Sequence, residues 1–173
     1  MNFFNPKTVL NKIESYKNFK KNFPGTVLSF VHKPQTKFFY DSIPVVLGVR
    51  LIGRKMFAVN LRLVPPRERV RLLNMMYDLK YENEPRVVIN KLLRSKYSKI
   101  MAATLEVYDI KNIKSKIKVL NDGDWATFAL NEYNSFKNVP KNRIYKIVKQ
   151  RIINIKMPVK YIVQVIKNNL KRK

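Results

Sequence analysis

Cysteine is absent from the 173 residues, and histidine occurs once, at His32. These shortages exclude disulfide scaffolds, zinc ribbons and thiol catalysis, and leave any metal site to carboxylates. Carboxylates are themselves scarce, with eleven Asp and Glu against thirty-six Lys and Arg. Only four glycines occur (Gly25, Gly48, Gly53 and Gly123), and none are grouped as a phosphate loop or a dinucleotide fingerprint. No apolar run approaches the about 20 residues of a membrane span. The opening Met1-Asn2-Phe3-Phe4-Asn5-Pro6 has no apolar core of secretory type. The expectation is a soluble, intracellular, non-enzymatic protein with no cofactor, no metal, no small-molecule substrate and no membrane partner.

What is present is charge of one sign, a formal +25. Self-repulsion of that size ordinarily persists because a polyanion offsets it, which points to nucleic acid. A genome rich in A and T would favour Lys over Arg, but it would not keep Glu rare, since Glu codons are A-rich too. Apolar residues make up 46% of the chain, enough for a core, and the length suits one domain or a small domain with appendages.

Residues 24–66 organise the rest. Thr26 to Val31 is a short strand candidate; Val45 to Ile52 and Met56 to Val64 are longer ones, joined by Gly53-Arg54-Lys55. Val45, Leu47, Val49 and Leu51 alternate along the first, and Phe57, Val59, Leu61 and Leu63 along the second. Period-two patterning across a Gly-containing turn predicts a β-hairpin. Arg50, Asn60 and Arg62 fall on the opposite face, which predicts that this surface is at least partly wet.

Before this block, residues 1–23 read as an amphipathic helix on Val9, Leu10, Ile13 and Tyr16, stopped by Phe23-Pro24-Gly25. After it, Pro65-Pro66-Arg67-Glu68 is a helix start, with a stripe of Val70, Leu73, Met76 or Tyr77, and Leu79. A second helix is predicted from about Arg86 to Tyr97 on Val88, Ile89, Leu92 and Leu93, the pair covering one side of the sheet. Met101 to Tyr108 reads as helix or strand, and Ile113 to Leu120 as a half-buried strand with Lys114, Lys116 and Lys118 outward. Asn121-Asp122-Gly123-Asp124 is a turn, followed by a strand or a short helix carrying the core candidate Trp125.

Residues 133–173 hold twelve Lys or Arg and no acid. Helical spacing runs through Ile144, Ile147, Val148, Ile152 and Ile155, and again through Tyr161, Ile162, Val165, Ile166 and Leu170 after Met157-Pro158. Lys137, Lys141, Arg143, Lys146, Lys149 and Arg151, with Lys171, Arg172 and Lys173 at the end, form the candidate phosphate-binding array. Such contacts position a protein on nucleic acid without reading its sequence. The blander reading is a solvated cationic face on helices whose isoleucines pack inward, and the two are compatible.

Other chemistry is thin. Asp109-Ile110-Lys111 matches half of a metal-dependent nuclease pattern, an acid for Mg²⁺ and a Lys for the attacking water, but lacks a firm upstream acid. Asp41 could be a lone site carboxylate, although before Ser42-Ile43-Pro44 it reads first as a turn cap paired with an Arg. His32, beside Lys33-Pro34, reads as a strand-end surface residue.

The block Pro24-Gly25-Thr26, Phe39-Tyr40-Asp41-Ser42-Ile43-Pro44, then Phe57-Ala58-Val59-Asn60-Leu61-Arg62-Leu63-Val64-Pro65-Pro66 with Arg69, resembles a segment of small virion-associated proteins of T4-like tailed phages. In that family a Tyr-Asp-x-x-Pro stretch precedes Gly-Leu-Asn-Leu-His-Tyr-Leu-Pro and an Arg-containing helix. Here Ala58 stands for the Gly, and Arg62 and Val64 depart from the His and Leu. Asp124-Trp125, Ala129-Leu130 and Lys141 to Tyr145 resemble its C-terminal part, so the likeness spans about two thirds of the chain. It implies a virion or host-cytoplasm location, a DNA-end-protector-like role and a sheet like a small SH3-like barrel; it assigns no catalytic residue.

The expected architecture is α+β: a small curled antiparallel sheet with packed helices. It divides into an N-terminal helix (1–23), a core (24–132) and a basic helical arm (133–173). The expected function is nucleic-acid binding, with a structural neck, tail or baseplate component that binds other virion proteins as the alternative.

Overall fold

The computed structural model describes residues 3–4, 19–35, 39–130 and 135–156. It is an α+β fold built on one antiparallel sheet. Five strands form its body: β2 (Val27–Ser29), β4 (Val45–Ile52), β5 (Lys55–Asn60), β6 (Leu105–Asp109) and β7 (Ile117–Val119). The two-residue β1 (Phe3–Phe4) adds to the β7 side, giving the order β1-β7-β2-β4-β5-β6. The sheet is open, with β1 and β6 as its edges. A separate ribbon pairs β3 (Tyr40–Asp41) with β8 (Phe136–Lys137).

The β4–β5 hairpin forms as the alternation predicts, and Gly53 turns it at φ 53°, a conformation that disfavours side chains with a Cβ. Two details differ. A bulge between Gly48 and Arg50 inserts Val49 and shifts the parity of the strand. Val45, Leu47 and Val49 therefore face one core cluster, while Leu51 joins Val46, Met56 and Ala58 in the other. β5 also ends at Asn60 rather than Val64. The Asn60 side chain accepts a hydrogen bond from Arg62 N (2.9 Å), closing a tight turn that competes with further strand.

Both faces of the sheet are covered. On one side lie α1 (Pro66–Lys80) and α2 (Pro85–Leu93), each opened by proline in its first turn. They bury Leu72, Leu73, Met76, Val88, Ile89 and Leu92 against β2, β4 and the end of β5. Trp125, on α4 (Asp122–Leu130), completes that core, its indole donating to Leu120 O at 3.2 Å. The turn expected at Asn121 to Asp124 is the start of α4: Asp124 accepts from Asn121 N at 3.2 Å and caps the helix. On the other side Phe19 and Phe23 pack on Leu28, Phe30, Val46, Leu51 and Ile117. Of the helix expected over 1–23, residues 19–22 are helical, whereas Phe3–Phe4 form β1; residues 5–18 lie outside the described residues, as does the expected segment from Val159 to Leu170.

Burial on both faces narrows the surface expected to be partly wet to Arg50. Asn60 is 1% exposed and Arg62 6%; only Arg50 of the three is exposed. The ambiguous stretch from Met101 resolves as both alternatives, α3 (Ser98–Ala103) followed by β6. No helix among the described residues is long and apolar enough to cross a membrane.

Candidate nucleic-acid interface

Five of the nine sequence-predicted cations are carried by α5 (Lys141–Asn154), whose N-cap is Pro140. Its inner side packs Ile144 and Val148 against Leu63 and Ala103, with Tyr145, Ile152 and Ile155 alongside. That fixes which residues face out: Arg143, Lys146 and Lys149 are exposed, and no carboxylate among the described residues pairs with them. Its first turn holds no acid, so basic side chains sit at the positive end of the helix dipole. An anion bound there would relieve both.

The other candidates are placed differently. Lys137 is exposed on β8, opposite Tyr40. Lys141 is the first residue of α5. Arg151 turns inward, donating to Glu106 Oε1 (3.0 Å) and to Ala103 O (3.2 Å), and so fastens α5 to β6 and α3. Lys171, Arg172 and Lys173 lie outside the described residues.

Beneath this helix lies a buried polar knot. The Asp41 carboxylate accepts from Ile43 N (3.1 Å), the turn cap its sequence context predicts, and from Asn60 Nδ2 (3.2 Å). Ser42 donates through N and Oγ to Ser135 O (2.9 and 2.6 Å), and His32 N donates to Ser42 O (2.9 Å). The loop before β4 is thus tied to β8, β5 and β2 at once. His32 is 3% exposed, in contrast to the surface position expected for it. Its ring meets Tyr40 and Tyr108 edge to face, and it bridges to Ile113 in the backbone. With Phe39, Glu106 and Phe136 these groups line a cavity with room for about one water molecule.

Burial dominates the electrostatics here. It pushes the Asp41 carboxyl above the usual carboxylate range, with Ser135, Asn60, Arg62 and the Ile43 amide offsetting part of the effect. It pushes the Tyr108 hydroxyl well up, helped by the Glu106 and Asp41 charges. Arg69, 3% exposed, is the pin of the arm. Its guanidinium donates to Val64 O (3.0 Å), Arg62 O (3.3 Å) and Tyr145 Oη (3.4 Å), joining the turn after β5 to both α1 and α5. Burial lowers its pKa.

Sequence reasoning missed this support. The available signal was the joint appearance of Tyr40-Asp41 and Asn60 in the block from Pro24 to Pro66, two segments whose side chains prove to be hydrogen-bonded. Asp109 and Lys111 act on each other: Asp109 accepts from Lys111 N (3.1 Å) and pairs with its ammonium (3.7 Å). No cluster of His, Asp and Glu able to hold a metal occurs among the described residues.

The chain matches no family model, no curated protein and no solved structure.

Proposed function

We propose that this is a non-enzymatic nucleic-acid-binding protein of a tailed phage, virion-associated or acting on packaged DNA, that grips backbone phosphates with α5. The observation carrying this reading is the outward side of α5, where Arg143, Lys146 and Lys149 stand unpaired by acid while the isoleucines of the same helix anchor it. A rigid helix bearing cations one turn apart neutralises phosphates and releases counterions without reading bases. Arg69 and Arg151 hold the helix to the body, so the load of bound polyanion is transmitted to the sheet.

The test is a mobility-shift titration with duplex DNA over a salt series. Three phosphates neutralised give a log–log slope of about −2.7, or roughly a 40-fold loss of affinity between 50 and 200 mM salt. The triple variant Arg143→Ala, Lys146→Ala, Lys149→Ala should remove that share of the slope. Binding that ignores both salt and the triple variant refutes the reading.

A neck, tail or baseplate role is the second reading, and exposed Ile153 on the same helix favours it, since an apolar side chain 63% open suits a protein partner better than a phosphate. An apolar interface of that kind would barely respond to salt.

A further inference from the structure

Acidic residues are unevenly placed. Five of the eleven (Asp78, Glu82, Glu84, Asp122 and Asp124) lie at one corner, where α1 ends, α2 begins and α4 starts. The Lys80–Asp122 salt bridge joins α1 to α4, and Lys80 also sits 5.5 Å over the Trp125 ring, so its charge is engaged within the corner. Asp78, Glu82 and Glu84 are exposed and take part in no ion pair among the described residues.

The same corner is apolar at its crest. Tyr77 and Tyr81 are 43% and 75% exposed, and their rings meet edge to face at 5.0 Å with the hydroxyls touching. Val87, six residues after Tyr81 in the first turn of α2, is exposed as well. Paired tyrosines lose little conformational freedom on binding and are favoured anchors of protein interfaces.

The complement of this patch is on the chain itself. Lys146, Lys149 and Ile153 follow one another at three and four residues along α5, hence on one stripe, and all three are exposed. An apolar side chain flanked by lysines matches tyrosines flanked by carboxylates. Within one molecule the described contact between the two helices lies away from the corner. α5 touches α1 at Arg69, in its first turn, and Tyr81 lies twelve residues on, about 18 Å along the axis.

We propose that copies of this chain associate head to tail, the outer stripe of α5 on one copy seated on the Tyr77–Tyr81 corner of the next. The contact is heterologous, so each union leaves one corner and one stripe free and extends into a ring or a filament. The net charge opposes association at long range. At 0.15 M salt the screening length is about 8 Å, and only the facing patches act on each other. The inference does not require nucleic-acid binding, and a seated stripe withdraws Lys146 and Lys149 from phosphate, so the two uses of α5 compete.

The experiment uses the full chain, freed of nucleic acid, in sedimentation velocity at 0.15 M salt. Two variants each remove one patch: Tyr81→Ala with Glu82→Lys and Glu84→Lys, and Lys146→Glu with Lys149→Glu and Ile153→Asp. All six positions are exposed, and circular dichroism checks that each variant folds; should the first fail, Glu82→Lys with Glu84→Lys replaces it. The wild type should gain mass with concentration, and each variant alone should stay at the 20.5 kDa of one chain. An equimolar mixture of the two should reach twice that mass and stop, because the intact stripe of one seats on the intact corner of the other. A wild type that is monomeric at every concentration overturns the proposal, and so does a mixture that remains monomeric or a variant that still assembles alone.

Discussion

Gly48 sits where β4 meets Phe23, just after the helical residues 19–22, and adding one methyl group there tests how firmly the two are docked. A Cβ on Gly48 would lie 2.1 Å from Phe23 O and 3.3 Å from the Phe23 ring, more than 1 Å inside contact distance for the oxygen. The obstacle is backbone and is held in place: Gly25 N donates to Gly48 O (2.8 Å) and Gly48 N to Thr26 O (2.9 Å). Relief therefore means moving Phe23, 1% exposed, out of its core and breaking those two bonds with it. Overpacking costs about 1–3 kcal/mol, and the two hydrogen bonds about 1 kcal/mol each, so Gly48→Ala should cost roughly 3–5 kcal/mol. At about 2–4 °C per kcal/mol for a chain of this length, the thermal midpoint should fall by about 6–20 °C. Far-ultraviolet circular dichroism melts measure it, with Gly123→Ala as the control. Gly123 has no atom within 4 Å of its added Cβ and lies in α4, where Ala is neutral or better by up to about 1 kcal/mol. A Gly48→Ala midpoint within a degree or two of wild type would refute the docking of Phe23 onto β4.

Two further expectations concern the support beneath α5. Arg69→Met keeps the bulk and removes the fork that serves Val64 O, Arg62 O and Tyr145; stranding these buried carbonyls should cost about 2–5 kcal/mol in a urea titration, whereas Tyr145→Phe, losing only a 3.4 Å contact, should cost under about 1 kcal/mol. Equal costs for the two would place the strength of the pin elsewhere. Asp41 binds its proton more tightly folded than unfolded, so it stabilises the fold least when ionised: its contribution is highest below pH 3.8, the unfolded value, and is lost as pH rises through the raised folded one. Asp41→Asn should therefore flatten that fall, gaining on the wild type toward pH 7 in parallel denaturations. A gap that instead widens toward acid would reverse the sign.

The sequence was most legible where one element answers to one signal. Alternation with Gly53 gave the β4–β5 hairpin, and proline before Glu68 and before Arg86 gave the starts of α1 and α2. It was least legible where two signals compete. Alternation assumes a dry side and a wet side, but Phe19 and Phe23 pack against Val46, Met56 and Ala58 on the side expected to be wet. The bulge at Val49 then reverses the parity for Leu51, and only pairing with β5 reveals it. Asn60 ends its strand because its amide bonds to the backbone two residues on, a polar interruption within Val59-Asn60-Leu61-Arg62-Leu63 that looks like an outward strand position. His32 and Asp41 are buried by residues far along the chain, Tyr108 and Ser135, and no local pattern around either announces that. For the interface, helical spacing found α5 and its basic character; the inward use of Arg151 depended on Glu106, forty-five residues earlier.

The strand order carries a consequence for synthesis. β7 sits between β1 and β2, so Phe3 and Phe4 have no strand to join, and the free edge of β2 no cover, until residues 117–119 have left the ribosome. The first strand made is among the last to be seated, across a separation of more than a hundred residues, and closure that remote slows folding. A nascent chain halted before Ile117 would therefore display Leu28 and its neighbours to any other strand that came by, which makes that stage of translation the one at which a chaperone has most to do.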